Sequence, residues 1–434
     1  MRAAFGEADV TPRLGTLLAG WLVPLRPAQV VRDPIQAHIG IIEGTNASVC
    51  FVSLDILSIS ASDAADLRSR ISKAVGVPAA NTMIAATHSH TGPAVTNLAI
   101  MPSDRDYVEL MKQRTVETAA KLSRALAPAR IGIACGFEGR LSFNRRYIRR
   151  DGLARTQPKA ADPDLVCAEG PIDPQLGVVC VRGEDGQAMG YLVNYACHPC
   201  FYGGLNVVSA NYPGSISRNL KLLESPRCVT VFLNGACGDV LYVDYADPNA
   251  SPDMEVMGSL LARKAYELGI NARYREEIEL GSAWKGSDLP LHKLTDAELE
   301  QARRQAAGQT ATMDPRWQRF APDDIYAQSL LELDREYQRS PTIRAQVQAL
   351  RLGEAALVAI PGELFVWNGM RIKTGSPVKP TFVVSCANGM VGYIATREAY
   401  GRGGYEVTPS MWSKLDPEAP EIVVRDALGA LGAL

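Results

Sequence analysis

The sequence predicts an α/β fold, a single large domain in which mixed or parallel sheet is flanked by helices. Three observations carry that expectation. Short apolar runs bounded by turn residues alternate with stretches of helical periodicity along most of the 434 residues. A strand–helix–strand succession lies within the first hundred residues, the pattern that joins parallel strands by a crossover helix. No Gly/Ser/Pro-rich linker and no internal repeat divides the chain, so residues 1–434 read as one domain.

Taken in order, residues 47–56 form an apolar, β-branched run that reads as a buried strand. Residues 62–75 follow with Ala65, Leu67, Ile71 and Val75 at helical spacing, after Ser and Asp residues suited to capping. Residues 81–87 read as the second strand of that unit. A helix over 104–126 precedes a strand at 129–136, and strands at 177–183 and 190–196 bracket Gly183-Glu-Asp-Gly186 as a hairpin. Helices are expected at 213–223 and 254–268, with a strand at 228–233 between them. The composition shifts at 285–340, where polar helical stretches at 296–307 and 327–339 flank a link with Pro and Trp. This segment reads as a helical insertion, either a surface hairpin or a lid. Strand pattern returns at 343–352, 355–360 and 381–385, with a helix at 364–372 that Glu363 is expected to open.

Composition narrows the partners. Lys and Arg number 45 against 47 Asp and Glu, a net charge of −2, which leaves no electrostatic footprint for nucleic acid or an anionic membrane. No apolar stretch is long enough for a membrane span, and residues 1–12 lack the apolar segment of a secretory signal. Nine cysteines show no repeating framework, so reduced thiols and a cytoplasmic location are expected. The implied partner is a small molecule; a homo-oligomer is allowed.

Only five histidines occur, so their placement is informative. His88 and His90 leave an apolar strand together in Ala86-Thr-His-Ser-His-Thr-Gly-Pro93. In an extended chain residues two apart share a face, and the C-terminal ends of strands are where α/β sheets build ligand sites. Two such imidazoles suit a divalent metal, or one ligand beside an acid/base group, or they are polar loop residues. His198 ends a second apolar strand, flanked by Cys197 and Cys200. A redox dithiol or half of a thiolate zinc site competes there with a His ligand whose cysteines only pack. The following Phe-Tyr-Gly-Gly is a poor helix start and no second Cys pair exists, which favours the ligand reading. Asn144-Arg145, Ser209–Gly214, Asn234–Asp239 and Pro361-Gly-Glu363 also end or start elements with polar groups. His38 and His292 read as structural or solvated.

Together these segments resemble the catalytic domain of the neutral/alkaline ceramidases. The similarity runs from Ala8-Asp-Val-Thr-Pro12 through the His88–His90 segment, Asn144-Arg145, His198, Ser209-Ala-Asn-Tyr-Pro-Gly214, Asn234–Asp239 and Pro361-Gly-Glu363. It ends at Gly392-Tyr-Ile-Ala-Thr-Arg-Glu-Ala-Tyr400 and Tyr405-Glu406. The resemblance implies a Zn²⁺-dependent hydrolase that cleaves an N-acyl amide with metal-activated water. His88, His198, Glu363 and Tyr393 would ligate the metal, and His90, Arg145 and Tyr405 would face the scissile carbonyl.

The chain departs from the family pattern at two places. Leu241 stands where the family's Gly-Asp-x-Ser-Pro-Asn carries serine, which removes a serine nucleophile there. Asn211 replaces an Asp. The sequence also ends soon after Tyr405, so no C-terminal immunoglobulin-like domain is expected. The expected substrates therefore widen to smaller amides, esters, carbamates or lactones. A non-catalytic small-molecule binder of the same fold is the alternative of a different class.

Overall fold

Eight strands of the computed structural model form one long sheet, each a run that hides apolar side chains: β1 (Arg2–Asp9), β2 (Gln36–Glu43), β3 (Ser48–Leu54), β4 (Thr82–Ala86), β5 (Ala127–Phe137), β6 (Gln175–Gly183), β7 (Ala188–Tyr195) and β8 (Val229–Asn234). The structure describes residues 1–21, 25–97, 101–309 and 314–434. The spatial order is β8-β7-β6-β5-β1-β2-β3-β4, and Tyr274–Arg275 adds a short strand beside β5. The sheet is mixed. β3/β4 and β7/β8 are parallel, whereas the pairs between them run antiparallel.

Helices α1 (Ala61–Val75), α2 (Arg105–Ser123), α3 (Asn211–Leu223) and α4 (Met254–Ile270) cover one face of this sheet. Their starts are chemically marked: Ser60 and Asp104 cap α1 and α2 by accepting from Asp63 N and Tyr107 N at 3.0 and 2.9 Å. α1 ends at Gly76, whose φ of 78° places it in the left-handed region that lets glycine close a helix. α1 crosses from β3 to β4, and α3 crosses from β7 to β8, so the two ends of the sheet are built alike.

The rest of the chain forms β9 (Leu280–Pro290), β10 (Thr342–Leu352), β11 (Ala355–Ala359), β12 (Glu363–Leu364), β13 (Thr381–Val384) and β14 (Tyr393–Ile394). It also contains α5 (Asp296–Ala306), α6 (Asp323–Arg339), α7 (Val366–Gly375) and α8 (Ala419–Leu431). A second sheet, β9-β10-β11-β13, packs on the inner face of the first through Val179, Leu192, Val231, Leu350, Leu357 and Phe382. α7 and α8 cover its outer side through Ile372, Val423, Ala427 and Leu431. Four layers result, helices outside and two sheets inside. Among the described residues no helix is long and apolar enough to cross a membrane.

The first sheet bends so that its two ends meet. Ser53 Oγ donates to Phe232 O at 2.5 Å, and Asn234 Nδ2 donates to Thr87 O at 3.1 Å. Ser385 N donates in turn to Asn234 O at 2.9 Å, which brings in the end of β13. The C-terminal ends of β4, β7, β8 and β13 therefore converge, as the strand-end reading of the histidines requires.

Three expectations change. Residues 285–290 continue strand β9, so the helical part of the 285–340 segment begins only at Asp296, the expected start of its first helix. Glu363 does not open a helix: it lies in β12, paired in parallel register with Tyr393 of β14, and α7 starts at Val366. Helix α6 begins at Asp323, before the expected 327, and its preceding link turns inward toward the strand ends.

Candidate metal centre

His88 follows β4 and is fixed by its own backbone, its N–H donating to Ile56 O at 3.0 Å. Its φ is +70°, so the chain turns there and strand alternation does not aim His88 and His90. The left-handed kink is costly for a side chain bearing Cβ, and such strain gathers at functional sites. His90 N–H bonds Pro199 O at 3.2 Å, which ties the loop after β4 to the loop after β7. Those two loops carry all three histidines.

Each imidazole then spends its Nδ1 on a backbone carbonyl: His88 on Leu57 O at 2.8 Å, His90 on Gly20 O at 3.0 Å and His198 on Cys237 O at 2.7 Å. A ring nitrogen facing a carbonyl must be the protonated one, so in each neutral ring Nε2 carries a lone pair. Those lone pairs point at one another. His88 Nε2 lies 3.0 Å from His198 Nε2 and 3.4 Å from His90 Nε2, and the three histidines share a site within 4.8 Å. Glu363 Oε2 lies 3.3 Å from Nε2 of both His88 and His198, yet it is buried with no hydrogen-bond partner. Burial and Arg145 oppose a charge on His198, but Cys237 and Glu363 outweigh them and raise its pKa to about 9, so the cluster calls for a positive charge among its rings, whether a proton or a metal ion. Three lone pairs and an orphaned carboxylate oxygen gathered out of water fit a divalent cation.

Burial, with His88 and His198 beside it, pushes the His90 pKa well below its ordinary value. His90 is thus a neutral acceptor through Nε2. Gly20 makes its approach to the ring possible, since a Cβ there would lie 2.7 Å from His90 Cα.

Arg145 comes from another direction. It follows the short strand Phe143–Asn144, which pairs with Val240–Leu241, and its N–H donates to Asp239 O at 2.8 Å. Asp239 is itself buried, accepting from Val366 N at 2.7 Å and Asn144 Nδ2 at 3.0 Å, and burial raises its pKa to about 7. Arg145 as a whole is 3% exposed. It donates through Nη2 to Tyr393 Oη at 3.0 Å and through Nε to Glu406 Oε1 at 2.8 Å. Burial works against its charge, and Tyr393, Glu406 and Glu363 more than reverse that, so its pKa rises above the ordinary value. Burial also raises the phenols of Tyr393 and Tyr405, the latter next to Tyr326 and Glu363.

These groups surround a cavity of about 110 Å³. His88, His90, Glu363, Arg145, Tyr393 and Tyr405 all line it, and His198 stands behind His88. Its apolar wall is aromatic, from Trp21, Phe320, Tyr326 and Trp412. A second cavity of about 610 Å³ approaches from the far side, and Leu57, Glu363 and Trp412 border both. Phe320, Ala321 and Tyr326 belong to the segment at 285–340, so part of that segment is a wall of the site. The seven residues singled out from the sequence are therefore one neighbourhood.

Other sequence-derived candidates lie elsewhere. All nine cysteines are free thiols, Cys197 is buried, and Cys200 faces the cavity edge, with no Cys197–Cys200 disulfide. Leu241 is buried in its short strand and does not line the cavity. Thr156 and Gln157 touch the site or its supports without having been singled out, and Glu406, part of the Tyr405-Glu406 resemblance, was given no role of its own. The only signal of Thr156 and Gln157 in sequence is a polar residue inside a run that otherwise reads as turn or strand.

Fold and site together define a four-layered α/β protein with a buried imidazole–carboxylate constellation at converging strand ends. No sequence-family profile matches the chain. Among curated proteins it is similar to neutral ceramidase of Pseudomonas aeruginosa, 22% identical over 382 residues, covering 75% of this chain and 56% of that protein's length. The crystal structure of neutral ceramidase from Pseudomonas aeruginosa superposes with a TM-score of 0.73 at 20% identity, covering all of this chain (100%) and 75% of that one. A ceramidase structure complexed with C2 gives a TM-score of 0.75 at the same 20% identity and the same coverage. The fold is that of neutral ceramidase, and the sequence similarity relates this chain to the neutral ceramidase family.

Proposed function

We propose that the chain hydrolyses the amide bond of an N-acyl small molecule, with a divalent metal, Zn²⁺ by its donor chemistry, held by His88, His198, Glu363 and Tyr393. The single observation that carries this reading is the gathering of three Nε2 atoms, two of them 3.3 Å from a buried carboxylate oxygen without a hydrogen-bond partner. A bound divalent ion supplies Lewis-acid polarisation and makes water nucleophilic near neutral pH. The name of the related ceramidase supports an amide as the bond attacked.

The chain's own residues divide the remaining work. Arg145 Nη1 has no protein partner among the described residues, and Arg145 lines the cavity, so this corner is free to donate to a developing oxyanion. Tyr405, also lining the cavity and kept protonated by burial, donates from beside Tyr393, whose ring is 5.8 Å from its own. His90, neutral and anchored through Nδ1, accepts the proton lost by the attacking water at Nε2 and delivers it to the leaving amine. The aromatic wall receives one apolar half of the substrate, and the cavity beyond Leu57 receives the other.

The test is metal content by elemental analysis, alongside hydrolysis of matched N-acyl amides and esters of graded length, with chelation and metal restoration. About one metal per chain, chelator-sensitive turnover and preference for amides are expected. Metal-free protein, or turnover indifferent to chelation, overturns the proposal; ester-only turnover moves it to an esterase.

A further inference from the structure

We propose that Glu406 is the positioning residue that holds Arg145 and Tyr405 as one unit beside the metal centre. This inference rests on the oxyanion role given to those two groups above. Glu406 has no exposed side-chain surface, and its carboxylate receives three donors. Arg145 Nε reaches Oε1 at 2.8 Å, while Arg146 Nη1 and Thr156 Oγ1 both reach Oε2 at 2.6 Å. The Thr156 hydroxyl also accepts from Tyr405 N–H at 3.1 Å. One carboxylate thus grips Arg145 directly and the Tyr405 backbone through a single hydroxyl.

The surrounding chain is arranged around that grip. Arg146 completes its bonding on Glu169 and on Gly403 O, the latter at 2.7 Å, so it holds the segment leading into Tyr405. Gly404, at φ +96°, passes so close that a Cβ would lie 2.5 Å from Arg146 Nη1 and 3.1 Å from Thr156 Oγ1. Gln318 clamps the Thr156 backbone from both sides, at 2.8 and 2.7 Å, and ties the strand Ala154–Thr156 to the link before α6. Two guanidinium cations, Arg145 and Arg146, face two carboxylates, Glu406 and Glu169, so the buried charges cancel.

The consequence is orientational. With Nε on Glu406 and Nη2 on Tyr393, the guanidinium plane cannot rotate, and Nη1 stays directed by the other two bonds. Buried ion pairs are weak evidence for stability. A preorganised donor, by contrast, is worth roughly 10²–10³ in kcat.

The test is Glu406→Gln, with Thr156→Val as the milder variant that removes only the hydroxyl between Glu406 and Tyr405. Glu406→Gln is expected to lower kcat by about 10²-fold with KM and metal content nearly unchanged, and Thr156→Val by about 10-fold. Combined with Tyr405→Phe, Glu406→Gln should cost less than the product of the two single losses, because both act on the same donors. Amide hydrogen exchange gives a readout independent of turnover: peptides covering 143–147 and 403–408 should exchange faster in Glu406→Gln, and those around His88 should not. Unchanged kcat with unchanged exchange in both peptides overturns the clamp, as does a uniform loss of protection across the chain. If the wild type turns over no amide, the exchange and metal measurements still decide the clamp, so its failure and that of the proposed reaction are read separately.

Discussion

Two buried histidine sites share this sheet, and their chemistry is opposite. In the cluster of His88, His90 and His198, every Nδ1 is spent on a backbone carbonyl and every Nε2 faces its neighbours. At His38, on β2, both ring nitrogens meet carboxylates, Nδ1 with Glu7 Oε1 at 3.1 Å and Nε2 with Asp55 Oδ2 at 3.2 Å. Burial opposes charge on His38, but Asp55 and Glu7 outweigh it and raise its pKa to about 9. At the first, three Nε2 atoms face one another beside the Glu363 carboxylate, with each Nδ1 already committed to a carbonyl. At the second, the ring is itself the cation. Burial therefore does not distinguish a metal ligand from a structural ion pair; the partner of the second nitrogen does.

The sharpest way to break this contrast is to remove one ring from each site. His198→Ala should lose stoichiometric metal and cut turnover by more than about 10³-fold, beyond the loss expected for one oxyanion donor. His38→Ala should keep its metal. Elemental analysis of both variants decides it, and a metal-replete His198→Ala would take His198 out of the ligand set.

The two sites also differ in how plainly the sequence displays them. His88, His90 and His198 each follow an apolar run, and the strands that deliver them, β4 and β7, are continuous enough to be read from hydrophobicity. His38 sits within a strand that reads Gln-Ala-His-Ile-Gly-Ile-Ile-Glu, and its charge is tolerated only because Glu7 and Asp55, distant in sequence, arrive beside it. The run Ala37-His-Ile-Gly-Ile-Ile still reads as a strand start, which β2 occupies, whereas β1 carries no such apolar run. β9 is a polar edge strand with Lys285 exposed, so its residues look like surface helix. α8 contains Gly429, a poor helix former, and is held by packing on the second sheet, with Pro420 in the first turn where proline is tolerated. Glu363 looked like a helix-opening carboxylate, because a two-residue strand leaves no periodicity. Glu406 belongs to the Tyr405-Glu406 pair of the resemblance, but its role was not legible, since its three donors come from segments up to 261 residues away.

The His38 site can be tested by stability rather than activity. Its folded pKa lies above the 6.5 of the free side chain, so its contribution is complete below about pH 6.5 and fades as the pH rises through about 9. Its partner Glu7 has a pKa lowered to about 2: burial raises it, and His38 and Lys221 overcome that, so its contribution is lost only as the pH falls toward that value. The two describe largely one interaction and are not summed. Unfolding free energies from denaturant titrations between pH 6 and pH 10 should fall on the order of 3 kcal/mol further in the wild type than in His38→Gln. Parallel curves would remove the charge from His38 and leave it an ordinary buried polar group.

The smallest effect resolves the member of the cluster whose role is most finely balanced. His90 could act as a further ligand or as the proton carrier, since its Nε2 lies 3.4 Å from His88 Nε2 and it also lines the substrate cavity. Gly20 is the lever, because its carbonyl holds His90 Nδ1 and its missing Cβ leaves the ring its place. Gly20→Ala puts a methyl against His90 at a backbone φ of +87°, which displaces the ring without touching His88, His198 or Glu363. A proton carrier moved by a fraction of an ångström should lower kcat by roughly 10-fold to 10²-fold while metal affinity holds. A ligand so displaced would instead weaken metal binding, and added metal would restore the rate. Titrating Gly20→Ala with zinc while following turnover separates the two, since the carrier reading requires a rate that stays low at saturation.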